Sequence, residues 1–102
     1  MIKYDKLVRD KIPEIIEHGG KQCEIAKVHG AELNSYLENK LHEEVGEYIE
    51  AKNLEELADI MEVLYGLAHS LGYSEQDLNE CRADKYNKRG GFNKGIILKE
   101  VW

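Results

Sequence analysis

The spacing of apolar residues changes along this chain, and each change marks an element. Residues 10–18, DKIPEIIEH, read as a short helix with Pro13 in its first turn and Gly19-Gly20 ending it. Residues 22–29, QCEIAKVH, alternate Cys23, Ile25 and Lys27 against Glu24, Ala26 and Val28, which predicts a short strand. From Ala31 to Lys52 the period lengthens. Leu33, Leu37, Leu41, Val45, Tyr48 and Ile49 recur three and four apart, which predicts one apolar stripe on a long helix. Asn53 then reads as an N-cap with Glu56 at N3, a capping-box pattern. That helix runs to about Leu71 and turns Leu54, Leu57, Ala58, Met61, Leu64, Tyr65, Ala68 and Leu71 inward. Gly72 ends it. Ser74 caps a further helix, with Asp77 at N3, that reaches about Lys88 before Gly90-Gly91. GIILKEV at 95–101 reads as a last strand that can pair with the one near 22–29. The expected fold is mainly α: an antiparallel helix hairpin within a small helical bundle. A short β-ribbon from residues near 22–29 and 95–100 completes it.

A length of 102 residues supports one domain, residues 1–102, with a modest core. A hydrophobic content of 42% is too high for a disordered chain. There is no apolar run of membrane-spanning length, and MIKYDKLVRDK lacks the apolar stretch of a signal peptide. The expectation is a cytoplasmic protein without a membrane partner. Cys23 and Cys81 form no CxxC pair and read as reduced thiols.

Charge adds a segregation that the net value of −6 conceals. Residues 12–81 hold sixteen acids and four bases, whereas the two ends together hold ten bases and four acids. A nucleic-acid binder would show a basic stripe instead, so nucleic acid is not an expected partner. The segregation suits cations that bridge carboxylates to an anionic ligand, with lysines and arginines closing over it. Charge balancing between solvated faces is the plainer alternative.

Eight acids and two lysines lie between Lys40 and Val63, and the acids are not equivalent. A helix advances about 100° per residue. With Val45 as zero, Glu44 falls at about −100° and Glu47 at about −160°. With Leu57 as zero, Glu56 and Asp59 fall at about the same two angles. A short turn at Lys52-Asn53 would fold the helices back and bring the two pairs together. Four converging carboxylates repel one another, and a divalent cation resolves the repulsion. An all-oxygen site suits Mg²⁺, with Mn²⁺ as a substitute. Glu50 and Glu62 read as solvated surface, and Glu55 as a favourable charge at a helix N-terminus. Acidic i, i+3 pairs also occur on ordinary helix surfaces. The repetition at matched angles distinguishes these.

EEVGE (43–47) followed by EELAD (55–59) resembles the ExxE…ExxD signature of the MazG-like, all-α nucleotide pyrophosphohydrolases. YDKLVRDKIPEII (4–16) and KYNKRGGFNKGIIL (85–98) resemble a compact branch labelled phosphoribosyl-ATP pyrophosphohydrolase-like. The three blocks touch nearly the whole chain, and their order is more specific than the acidic motif alone. The resemblance implies Mg²⁺-dependent hydrolysis of a nucleoside triphosphate or related nucleotide between the α and β phosphates. The products would be a monophosphate and pyrophosphate. Non-standard or excess nucleotides are one substrate class it implies, and phosphoribosyl-ATP of histidine biosynthesis is another. By the same resemblance Glu44 and Glu47 form one metal pair and Glu56 and Asp59 the other. Glu43 stands beside them as an outer ligand or an orienter of water. Only eight residues separate Glu47 from Glu56, fewer than in many relatives, which bears on substrate preference.

Basic side chains would stabilise charge on the phosphates. The candidates are Lys6, Arg9, Lys11 and Lys40, together with Lys85, Lys88 and Arg89. Lys85 and Arg89 share a helix face, and Lys40 lies one turn before Glu44. His18, His29, His42 and His69 have no ligand spacing. Tyr36, Tyr48, Tyr65, Tyr73 and Tyr86 read as core or interface aromatics, as do Phe92 and Trp102. A homo-oligomer, dimer or tetramer, is expected, in which basic residues could enter a neighbour's site. A non-catalytic helical module that binds a basic partner through its acids is the competing reading. Convergence of Glu44, Glu47, Glu56 and Asp59 separates the two, because splayed carboxylates would fit only the second.

Overall fold

The computed structural model describes residues 5–102; Tyr4, the first residue of the N-terminal motif, lies outside them. The elements are α1 (Ile12–His18), α2 (Gly30–Ala51), α3 (Leu54–Ser70) and α4 (Glu75–Arg89). The fold is therefore mainly α, and α3 and α4 begin where their capping residues place them. Asn53 Oδ1 accepts the Glu56 backbone N–H at 3.0 Å, which starts α3. Ser74 Oγ accepts from the Asp77 N–H at 3.0 Å, while an Asp77 carboxylate oxygen accepts from the Ser74 N–H at 2.9 Å. That reciprocal pair is a complete capping box on α4.

Only Lys52 and Asn53 separate α2 from α3. The reversal requires Lys52 to adopt the left-handed conformation, with φ 52° and ψ 45°. An L-residue there bears a cost of about 1–2 kcal/mol. The Lys52 ammonium lies 5.9 Å from the centre of the Tyr48 ring, a contact that offsets part of it.

The β-ribbon does not form. Residues 21–29 and 95–102 are irregular, and no strand occurs among the described residues. A two-stranded ribbon gains stability only when a third strand or a packed helix covers it. Here Ile96, Ile97 and Leu98 are exposed and cover nothing.

α2 and α3 pack antiparallel around Leu37 and Val63, which are buried together with Ala68. Leu33, Leu41, Tyr48, Ile60 and Leu67 are half-buried around them. Gly66 permits the close approach, since a Cβ there would stand 3.0 Å from Leu37 Cδ2. α4 attaches to the far end of α3, where the Tyr65 hydroxyl donates to Asn79 Oδ1 at 3.2 Å.

Of the expected inward face of α3, Ala68 is buried and Tyr65 half-buried, but the rest is not. Leu54, Leu57, Ala58, Met61, Leu64 and Leu71 are exposed. The face against α2 carries Glu56, Asp59, Ile60, Val63, Gly66 and Leu67, roughly 130° around the helix. α2 is turned in the same sense: Val45 and Ile49 are open, and Glu44 is buried. The physical reason is the width of the apolar arc on α3, which exceeds what one neighbour can cover. Gly66 draws α2 to one part of the arc and leaves the rest open. Phe92 and Trp102 are fully exposed in the single chain, so neither joins its core.

Candidate metal centre

Because the contact faces turn toward the acids, the carboxylates meet at the seam of the hairpin. Glu44 lies at the middle of it and is only 7% exposed. Oxygens of Glu44, Glu56 and Asp59 all lie within 4.8 Å of one another, and so do oxygens of Glu43, Glu44 and Glu47. Glu44 belongs to both sets. Mg²⁺ binds oxygen at about 2.0–2.1 Å in an octahedron, so opposite ligands stand about 4 Å apart. Glu47 is solvent-exposed, whereas Glu56 and Asp59 are half-buried.

Two kinds of carboxylate coexist here. On the rim, Lys6 Nζ stands 2.9 Å from Glu43 Oε1, and Lys40 Nζ stands 3.5 Å from Glu43 Oε2. Arg9 Nη2 stands 2.6 Å from Asp59 Oδ1. On the floor, Glu44 Oε2 and Glu56 Oε2 are closed off from solvent and accept no hydrogen bond. Lys40 Nζ reaches the other Glu44 oxygen at 3.6 Å, which leaves half of a buried carboxylate unserved. An orphaned buried acceptor is costly, and buried charges are ordinarily paired or bound to metal.

The protonation equilibria follow the same division. The hydrogen bond from Lys6 holds the Glu43 carboxyl below its usual range, with help from the charge of Lys40. The same bond raises the Lys6 ammonium. Burial pushes Glu44 up first, and the charge of Glu47 adds to it. Loss of solvent likewise raises Glu56, followed by the charges of Glu47 and Asp59.

The expected bases divide into two groups. Lys6, Arg9 and Lys40 are drawn to the acids. Lys11 is exposed and pairs with none of them, and Lys85, Lys88 and Arg89 stand exposed at the end of α4, likewise unpaired with the cluster. The sequence reading missed a narrow groove of about 80 Å³ next to Glu43, with Lys6 and Leu7 on one wall and Tyr36, Asn39 and Lys40 on the other. Tyr36, Asn39, Lys40 and Glu43 are spaced three, four and seven apart, so a polar stripe on α2 was the available signal. A more open concavity of about 490 Å³ along Glu75, Gln76, Asn79, Glu80 and Ala83 of α4 contains none of the expected site residues. It is an open surface of one helix. The acids gather elsewhere, at the α2–α3 seam.

No family model matches the chain, and comparison with curated proteins and with solved structures finds no match.

Proposed function

We propose that this protein is a Mg²⁺-dependent nucleotide pyrophosphohydrolase that cleaves between the α and β phosphates. The observation that carries the reading is Glu44, a carboxylate buried at the helix seam with one oxygen unpartnered among four other converging acids. Such an arrangement is unfavourable without a cation and well suited to one. The resemblance of EEVGE and EELAD to the MazG-like signature supplies the reaction class.

Glu44, Glu47, Glu56 and Asp59 would hold the metal, and Mn²⁺ fits the same oxygen donors. When bound, Mg²⁺ supplies a Lewis acid that shields phosphate charge and makes water more acidic. The chain's own cations do the rest. Arg9 and Lys6 neutralise Asp59 and Glu43, and both are exposed enough to turn toward a phosphate once those acids have another partner. They would then bind the negative charge that develops on the phosphates. Lys40, less exposed, stays to anchor Glu43 and Glu44. Glu43, held on two sides by lysines, is placed at the rim to orient an attacking water.

Pyrophosphate release over a panel of nucleoside triphosphates and phosphoribosyl-ATP, with and without Mg²⁺, tests the reading and separates the two substrate classes. Glu47→Gln and Asp59→Asn are expected to abolish turnover while circular dichroism shows the helices intact. Full activity in either variant, or no substrate turned over and no Mg²⁺-induced rise in Tm, would remove the enzyme reading and favour a non-catalytic acidic module.

A further inference from the structure

Residues 5–18 form an arm that carries α1 and lies against the hairpin with little to hold it. α1 has no buried residue and packs against no other helix. Ahead of it Leu7 is half-buried, and the rest of residues 5–11 is exposed. Among the described residues the arm makes two hydrogen bonds to the hairpin, both from side chains. Lys6 Nζ donates to Glu43 Oε1 at 2.9 Å, and Arg9 Nη2 donates to Asp59 Oδ1 at 2.6 Å.

Both bonds land on acids of the converging cluster. Glu43 belongs to one set of oxygens and Asp59 to the other. The groups that fasten the arm are therefore groups that a cation would recruit. Glu44, shared by both sets, is 7% exposed and keeps one oxygen unpartnered, so the seam is short of positive charge even with the arm in place. The charges also match. Lys6 and Arg9 together bring two positive charges to the acids, and one Mg²⁺ brings the same number. Exchange of one for the other leaves the charge of the seam unchanged and removes both fastenings. Lys40 is not exchanged in this way. Its side chain is 20% exposed, against 49% for Lys6 and 57% for Arg9, and it belongs to α2 itself.

We propose that residues 5–18 are a strap released by metal binding alone: a divalent cation that takes up the Glu43 and Asp59 oxygens displaces Lys6 and Arg9, and the arm leaves the seam before any nucleotide arrives. The inference rests on the metal reading of the site given above. Exposed ion pairs hold weakly, and a hard divalent ion coordinated by oxygens outcompetes them. Asp5, Lys6 and Leu7 are also a wall of the groove beside Glu43, so release opens that groove along Tyr36, Asn39 and Lys40.

Limited proteolysis of the full chain by trypsin tests the strap, because the protease must take the Lys6 or Arg9 side chain into its own pocket. Saturating Mg²⁺ without nucleotide is expected to speed cleavage after Lys6 and Arg9 by about fivefold, the change in open population when two exposed ion pairs are lost. Cleavage after Lys85 and Arg89, at the end of α4, is expected not to rise. The coupling is reciprocal, so Lys6→Gln with Arg9→Gln should bind Mg²⁺ more tightly in calorimetry by the same factor. Mg²⁺ bound in calorimetry with cleavage after Lys6 and Arg9 unchanged or slower overturns the strap and leaves the metal site standing. A rise that requires nucleotide, a rise shared by Lys85 and Arg89, or a double variant that binds Mg²⁺ no more tightly than the wild type overturns it as well. If Mg²⁺ binds neither protein, the strap falls together with the metal reading.

Discussion

Glu43 and Glu44 are neighbours in sequence and opposites in environment. Glu43 sits on the rim, bonded to Lys6 and flanked by Lys40, and its carboxyl is held below the usual range. Glu44 sits on the floor, one oxygen without a partner, and its carboxyl is pushed up. Asp59 and Glu56 repeat the contrast across the hairpin, the first held by Arg9 and the second closed off on one oxygen. The rim is already balanced by the protein's own cations. The floor is not, and a helix seam that buries unpaired carboxylates sacrifices stability for a property other than folding.

The largest expected effect comes from removing the floor charge. Glu44→Met keeps the length of the side chain and discards the charge, so the metal-free protein should gain about 1–3 kcal/mol at neutral pH. Thermal denaturation would read this as a rise in Tm of about 4–8 °C for each kcal/mol. The stabilisation that Mg²⁺ gives the wild type should disappear in the same variant. A variant that is less stable than the wild type without metal would break the contrast between rim and floor.

Glu43→Met should act in the opposite direction and more weakly, with a loss of up to about 1 kcal/mol, as for a partly exposed ion pair. The pH profiles of the two variants should also oppose each other. The lowered carboxyl of Glu43 contributes stability above the ordinary value of 4.5, and that contribution is lost as pH falls through its folded pKa. The raised carboxyl of Glu44 favours the fold below 4.5, and this is lost as pH rises through its own folded pKa. The gain from Glu44→Met should therefore shrink as the pH is lowered toward 4.5, and the deficit of Glu43→Met should shrink below it. Tm measured from pH 3 to 8 on both variants and the wild type would show it.

Arg9→Ala has the smallest expected effect on stability, within about 0.5 kcal/mol, because the pair is more than one-third exposed on both sides. Its use is to sharpen the roles of the rim. Without Arg9, Asp59 is free for a cation, so Mg²⁺ should bind several-fold more tightly in calorimetry without nucleotide. If Arg9 contacts phosphate as proposed, turnover should fall. Weaker Mg²⁺ binding would show that Arg9 organises the acids instead of competing for them.

Helix ends were legible because they depend on local chemistry. Asn53, Ser74 with Asp77, and the glycines that follow α1, α3 and α4 each act within a few residues. The matched angular positions of the two acidic pairs were legible for the same reason, since helical phase needs no tertiary knowledge. The packed faces were not. The apolar arc of α3 runs from Ile60 and Val63 round to Leu57 and Met61, and a periodicity argument finds its middle without finding which part α2 takes. Gly66 held that information, as the place where Leu37 can come close. The segments at 22–29 and 95–100 have strand-like alternation and lack a covering layer, a condition that no local pattern reports. Lys6 and Arg9 were recognisable as cations for the site. Their attachment to Glu43 and Asp59 depends on how residues 5–11 cross the hairpin.

The two-residue link at Lys52-Asn53 also governs the order of events during folding. It makes the principal interface a contact between neighbours in sequence, so the hairpin has low contact order and should close on the microsecond-to-millisecond scale. Refolding by dilution should accordingly show a fast helical phase whose rate is indifferent to protein concentration.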